Sequence, residues 1–422
     1  MSFVKAGMTF AASTGTKLVL GLIIIKIIAL NVGADGLGKL GQFMSVMGMV
    51  TLLAGGGIFT GLIKYVAELR NDLSELKKYL SSGSMITLTT SSVVALLLCL
   101  FARKISMILI GSEKYYDIIY ILAVVQFLIG ANNFATSVIS GHQDAQGFAK
   151  VTVAGSVAGA GLVYILTISG GLRGAMCGLI LMPALMSLFS ITYVFRRRFL
   201  TTDKIVPCFH KKVTGKLLQY SGMLCVTATT LPVAQIAVRN LIVQQYGWSA
   251  VGYWQGVNRV SDAYLQFVTV VLGNYYLPRL SATYNKSDLR LEVYRALQVA
   301  VPITMVMATV VYFLKDWIVS ILFSADFYPM RDFFLFQTFG DCLKVCAHTI
   351  AYVAVAKALT RIYILSEISQ SIVFVCLSFL FLKTFGPVGV TYAHFVTYLL
   401  YFIIGIIAFS FYVTSEKSHS TT

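Results

Sequence analysis

The chain has 422 residues, of which 57% are hydrophobic and only 12% charged, with a mean hydropathy of +0.80. A soluble domain carries about 25% charged residues, so this composition excludes a water-soluble protein and reads as an all-α integral membrane protein. The formal charge of +16 needs no nucleic-acid partner, because no aromatic-interleaved basic face accompanies it.

The first apolar stretch starts almost at Met1 and carries Lys17 and Lys26. No small-residue cleavage site follows a short apolar core, so the stretch reads as a retained helix. A helix crosses the hydrocarbon in about 20 apolar residues. Twelve stretches qualify, over 8–31, 40–67, 84–102, 118–140, 150–168, 173–195, 217–245, 250–278, 296–314, 332–356, 362–382 and 386–413. The longest polar connector, 196–216, holds Arg196, Arg197, Arg198, Lys204, Lys211, Lys212 and Lys216. It splits the chain into an N-terminal six-helix bundle, 1–195, and a C-terminal one, 217–422, with 196–216 as a basic cytoplasmic linker. With both termini in the cytoplasm, and with Lys64, Lys150 and Arg173 at the span ends counted with the side they adjoin, 20 Lys and Arg fall on the cytoplasmic side and 8 on the external side, which is the expected bias. Gly7-Met8 and Gly222-Met223 lie 215 residues apart, as do Gly41 and Gly256. Six plus six spans with that echo point to a duplicated transporter with a binding site between its halves.

Cys99, Cys177, Cys208, Cys225, Cys342, Cys346 and Cys376 show no metal-ligand spacing with histidine. They read as small core residues, and no metal is expected. No P-loop, dinucleotide fingerprint, zinc-protease motif or nucleophile elbow appears, so neither a cofactor nor an enzyme is expected. A membrane glycosyltransferase or glycan polymerase would need acidic catalytic motifs or large external loops, and neither is visible.

Ionisable groups inside the spans are the strongest signal. A charged residue at mid-bilayer costs about 2.5–3.5 kcal/mol on insertion scales, so each must be paired or face water. The cations are Lys17, Lys26, Arg239, Arg259 and Lys344; the acids at comparable depth are Asp262, Asp341 and Glu367. Gln255, Asn258, Arg259, Asp262 and Gln266 recur at three- and four-residue steps and share one helix face. Gln337, Asp341, Lys344, His348 and Tyr352 form a second polar stripe. Such stripes face a partner helix or an aqueous cavity. Arg259–Asp262 and Asp341–Lys344 could simply neutralise one another. Lys17 and Lys26 are nine residues apart, half a turn out of phase on a straight helix. They reach one cavity only if the helix bends, for instance at Gly21; otherwise one of them serves elsewhere.

A surplus of embedded cations suits an anionic substrate, since Lys and Arg match phosphate oxygens. It argues against a drug exporter of cations, which would need acids in its cavity. Asn258, Asp262, Gln266 and Asp341 are candidate supporting polar groups. His348, Asp341 and Glu367 are candidate ion-coupling groups, being titratable within the membrane. Tyr246, Trp248, Tyr253 and Trp254 cluster at one end of the seventh and eighth spans, mostly as interfacial belt residues.

The segments AGGGIFTGLIKYVAE at 54–68, GYWQGVNRVSDAYLQF at 252–267, FYPMRDFF at 327–334 and GDCLKVCAHTIAYVAVAKA at 340–358 resemble the Wzx-type flippases. The likeness runs along nearly the whole chain and is strongest to the enterobacterial common antigen branch. That family shares a superfamily with the multidrug and toxin extruders. The resemblance implies two six-helix bundles in a V, alternating between inward-open and outward-open states. It implies translocation of an undecaprenyl-diphosphate-linked oligosaccharide to the periplasmic leaflet of a Gram-negative inner membrane. Its implied partners, besides that glycan and the membrane lipids, are the glycan polymerase and chain-length regulator. Carried over, Lys17, Lys26, Arg239, Arg259 and Lys344 would hold the diphosphate, and Asp262 would orient Arg259.

Overall fold

The computed structural model describes residues 3–200, 206–283, 285–357 and 359–414, and among these no strand occurs. The helices in chain order are α1 (Phe3–Leu53), α2 (Phe59–Leu69), α3 (Leu73–Ile110), α4 (Tyr116–Gly141), α5 (Ala145–Arg196), α6 (Lys211–Val271), α7 (Leu277–Ala282), α8 (Lys286–Phe313), α9 (Lys315–Leu322), α10 (Phe334–Ala356), α11 (Thr360–Phe385) and α12 (Gly389–Thr414). Eight helical stretches are long and apolar enough to cross a membrane. Four of them hold two crossings each, because the backbone turns at Gly33, Gly171, Gly247 and Gly386, all at positive φ. Glycine adopts that region without a Cβ clash, and the described residues hold twelve crossings. The chain is a multi-pass, all-α membrane protein.

Contacts divide the chain into two compact units, 1–32 with 39–232 and 33–38 with 233–422. In the first unit the expected span 40–67 is two helices, broken at the Gly55-Gly56-Gly57 run, where Gly56 and Gly57 have φ near +65°. The break strips carbonyls of their intrahelical donors, and such groups must be met internally in lipid. Ser91 Oγ donates to the Ala54 carbonyl at 2.6 Å and Asn133 Nδ2 to the Thr51 carbonyl at 2.8 Å. Around it Leu62, Val66, Leu80, Phe134 and Val138 form a buried core.

In α5 the chain folds back on itself at Gly171. Gly155 then faces Met186, Gly159 faces Met182 and Gly178 faces Val163. Small residues let two helices approach closely where no hydrophobic force drives them together. The same helix starts at Asp144, whose carboxylate caps the Gly147 N–H at 2.8 Å.

In the second unit α6 turns at Gly247, and α8, α10, α11 and α12 pack with its second half. Tyr264, Leu272, Leu289, Val345 and Val353 belong to one buried cluster. Gly38 and Gly252 sit against the carbonyls of Trp248 and Ala34, fastening 33–38 to this unit. The second half of α6 ends in a π-helical turn, Leu272–Tyr276, before α7. α10 is preceded by the 3-10 helix Ala325–Phe333.

Several sequence expectations change. The connector 196–216 is partly helix, since α6 begins at Lys211; Lys204 lies outside the described residues. Cys99, Cys208 and Cys376 are exposed and not core. Cys99 and Cys376 lie within spans, where hydrocarbon accepts a small thiol as readily as a protein interior does, and Cys208 lies in the connector.

Candidate functional site: a charged cluster in the second unit

Arg239 anchors the cluster. It is only 2% exposed and is the sole charged residue of α6 between Lys216 and Arg259. The turn at Gly247 brings Gln255 back beside it, and Arg239 Nη2 donates to Gln255 Oε1 at 2.8 Å and to Gln235 Oε1 at 3.4 Å. Its guanidinium lies 5.5 Å from the Trp254 ring centroid, a cation–π contact. Trp254 is therefore buried in the site and is not a belt residue.

One turn on from Gln255, Arg259 pairs with Asp262 at 3.7 Å, and Asp262 remains exposed. Both charges act on Arg239. On α10, Lys344 stands 5.8 Å from the Tyr398 ring. Asp262, Asp341 and Glu367 all lie within electrostatic reach of its ammonium. Three cations and three carboxylates from α6, α10 and α11 thus gather in one unit. The half-buried Asn258 belongs to the same face of α6, and Gln266 continues it.

The neutralising Asp341–Lys344 pair that spacing allows is an electrostatic one, without a close contact. Asp341 is fully buried, and Tyr264 Oη donates to its Oδ2 at 2.5 Å. Its Oδ1 meets His394 Nε2 at 3.1 Å and Gln337 Nε2 at 3.3 Å. Donors from α6 and α12 outcompete a lysine one turn away on the same helix. His348 lies 5.9 Å from the Tyr398 ring and 6.2 Å from that of Tyr401. Glu367 sits half-buried on α11.

Two further groups mark the site. Trp254 Nε1 and Asn258 Nδ2, one helical turn apart on α6, are buried donors with no hydrogen-bond partner among the described residues. A buried unmet donor costs about 1–3 kcal/mol. An acceptor-rich occupant beside the three cations would satisfy both.

Lys17 and Lys26 belong to the other compact unit. Both are exposed, and α1 stays helical through Gly21, its one non-helical residue being Gly33. The bend that would bring them into phase is absent, so they point to opposite sides of the helix.

The sequence reading missed Tyr264, Trp254, Tyr398 and His394 as site residues. For His394 a signal existed: it is the sole ionisable side chain besides tyrosines in α12.

The profile of the family described as "Polysaccharide biosynthesis protein" matches residues 32–332. The chain belongs to this polysaccharide biosynthesis family. It is 36% identical over 402 residues to the lipid III flippase of Escherichia coli strain K12, covering 95% of this chain and 97% of that protein. The lipid III flippase of Shigella flexneri matches to the same extent. Among solved structures, an inward-facing multidrug resistance MATE family transporter of the MOP superfamily superimposes with a TM-score of 0.78 at 15% identity. It covers 94% of this chain and 96% of the transporter. An outward-facing structure described in the same terms gives 0.73 at 15% identity, covering 99% and 96%. A Pyrococcus furiosus MOP transporter, reported with reversed binding-pocket polarity, gives 0.68 at 14% identity, covering 94% and 96%. The family member described here therefore has the fold of those transporters.

Proposed function

We propose that this family member is a flippase for an undecaprenyl-diphosphate-linked oligosaccharide. The cargo is an O-antigen repeat or the lipid III of the enterobacterial common antigen. The protein moves it from the cytoplasmic to the periplasmic leaflet of the inner membrane by alternating access, with both its termini in the cytoplasm. The observation that carries this reading is the 36% identity to lipid III flippases along 95% of the chain.

The second unit supplies chemistry that fits. A diphosphate presents several anionic oxygens, and Arg239, Arg259 and Lys344 offer charge-assisted donors to them. Trp254 Nε1 and Asn258 Nδ2 add neutral donors. Asp262, at 3.7 Å from Arg259, holds that guanidinium until substrate takes over its charge. Lys17 and Lys26 are further diphosphate cations of this reading, one at a time given their opposite phase. Gln266 lines the same polar face.

No bond is broken. Binding energy realised differently in two states shifts their populations, and an anion that neutralises clustered cations favours the state in which they are closest. Ion coupling, in this reading, resides at Asp341 with His394, and His348 and Glu367 stand as its neighbours around Lys344. The glycan polymerase and chain-length regulator are proposed partners. The likeness to drug transporters, at 14–15% identity, concerns the fold alone, and the cationic groups speak against a cationic cargo.

The test is to delete the gene, radiolabel the sugars and follow undecaprenyl-diphosphate glycans. The reading expects one lipid-linked repeat to accumulate on the cytoplasmic face and the wild-type gene to clear it. Intact surface glycan without accumulation, in a strain lacking a redundant flippase, defeats it.

A further inference from the structure

A groove of about 380 Å³ runs along the outside of the second unit, between the end of α6 and α8. Its walls are apolar: Phe267, Leu272, Tyr276, Val299 and Ile303 line it. Phe267, Val299 and Ile303 are about half exposed, at 55%, 58% and 49%. The π-helical turn Leu272–Tyr276 forms part of the wall, and such turns recur at functional sites.

One end of the groove is charged. Arg279 grips Glu292 with two bonds, Nε to Oε2 at 2.6 Å and Nη2 to Oε1 at 2.8 Å. Arg295 Nη1 adds a third contact to Oε1 at 3.2 Å. Arg295 reaches that carboxylate through Nη1 while its side chain stays 56% exposed, so a cation faces the mouth.

The length of the groove selects its occupant. From Glu292 at the mouth to Ile303 at the far end, α8 rises about 16 Å at 1.5 Å per residue. That is about half of the ~30 Å hydrocarbon core, the depth of a single leaflet. A polyprenyl carrier is far longer than one leaflet, whereas an acyl chain matches it.

We propose that this groove binds one anionic phospholipid of the adjacent leaflet, with its phosphate on Arg295 and Arg279 and an acyl chain along Val299 and Ile303. The lining of the groove includes none of Arg239, Arg259 and Lys344. The bound lipid covers the seam where α6 ends in its π-helical turn.

The experiment uses the full-length protein purified in detergent. Phosphatidylglycerol or phosphatidylethanolamine is titrated in, and retained lipid is counted by native mass spectrometry. The wild type retains one phosphatidylglycerol in preference to phosphatidylethanolamine. Arg295→Gln lowers that preference about five-fold, leaving Glu292 still held by Arg279. Val299→Trp fills the groove from an exposed position and removes the retained lipid while both arginines remain. Melting of each variant in lipid-free detergent matches the wild type. Absence of a phosphatidylglycerol preference, or wild-type retention by both variants, overturns the proposal. So does full displacement by inorganic phosphate, which would mark an anion site without a chain. Displacement by equimolar undecaprenyl phosphate would make the groove a carrier site and equally overturn it.

Discussion

Tyr264 Oη and Asp341 Oδ2 are 2.5 Å apart, joining α6 to α10 through a carboxylate that no solvent reaches. His394 on α12 contacts the other oxygen at 3.1 Å. Three helices of one unit therefore meet at a single acid. A buried charge is tolerated only with such a full set of donors. Because the acid is titratable and spans three helices, it is also where a change of protonation would alter helix packing.

Tyr264→Phe removes one donor and leaves the carboxylate oxygen unmet. The expected cost is about 1–3 kcal/mol of stability, seen as a lower thermal midpoint in detergent. Asp341→Asn keeps an acceptor for Tyr264, so its midpoint should fall less, while glycan export drops because the group no longer titrates. Equal export by wild type and Asp341→Asn across a range of external pH would remove coupling from this residue.

Arg239→Ala and Lys344→Ala should each lower glycan export at least ten-fold, a change of about 1.4 kcal/mol in the relevant step, with the protein still inserted. Arg239→Lys should fail as well. An ammonium lacks the flat guanidinium that lies over Trp254 while its Nη2 donates to Gln235 and Gln255, and it offers no further N–H groups in that plane to an anionic oxygen. Export assays with membrane-fraction immunoblots separate lost transport from lost protein. Normal export by both alanine variants would falsify the cationic site.

Much of the architecture was legible because composition alone sets the number of crossings. The turns at Gly33, Gly171 and Gly247 fall between expected spans, where apolar periodicity pauses. The break at Gly55-Gly56-Gly57 was not legible, since glycine leaves the hydrophobic average of 40–67 intact. Its cure, Ser91 and Asn133, comes from helices that the sequence separates by tens of residues. The polar stripes of α6 and α10 were visible from spacing, and the structure brings them together. Spacing left Asp341 open, since a three-residue step to Lys344 permits a pair, while the close contacts of the carboxylate come from cross-helix donors. His394, 53 residues away from Asp341, has no helical-step relation to it. Phase was informative at Lys17 and Lys26, where an unbroken helix keeps the nine-residue conflict unresolved.

Asp262→Asn should barely change stability. The Arg259–Asp262 pair spans 3.7 Å with the aspartate side chain 61% exposed, and such pairs contribute about 0–1 kcal/mol. The same change unbalances the cluster toward positive charge beside Arg239, Arg259 and Lys344. Its signature is therefore an unchanged thermal midpoint with tighter retention of a diphosphate-bearing lipid, measured by competition against the wild type. A fall in midpoint as large as that of Tyr264→Phe would show that Asp262 is structural.

The α5 hairpin gives a prediction independent of function. A Cβ at Gly174 would be driven into the Leu166 carbonyl, backbone against backbone, with no flexible side chain to yield. At Gly161, on the same helix, nothing lies within 4 Å of the corresponding position. Gly174→Ala should therefore separate the two arms of the hairpin and lower the thermal midpoint clearly. Gly161→Ala should hold or raise it, since alanine is favoured over glycine in a helix by about 1 kcal/mol. Detergent melting of the two variants side by side checks this, and the result turns on sign more than size. Matching midpoints would mean that the close approach at Gly174 carries no packing energy, and the two crossings of α5 would then owe their pairing to contacts other than the glycine face.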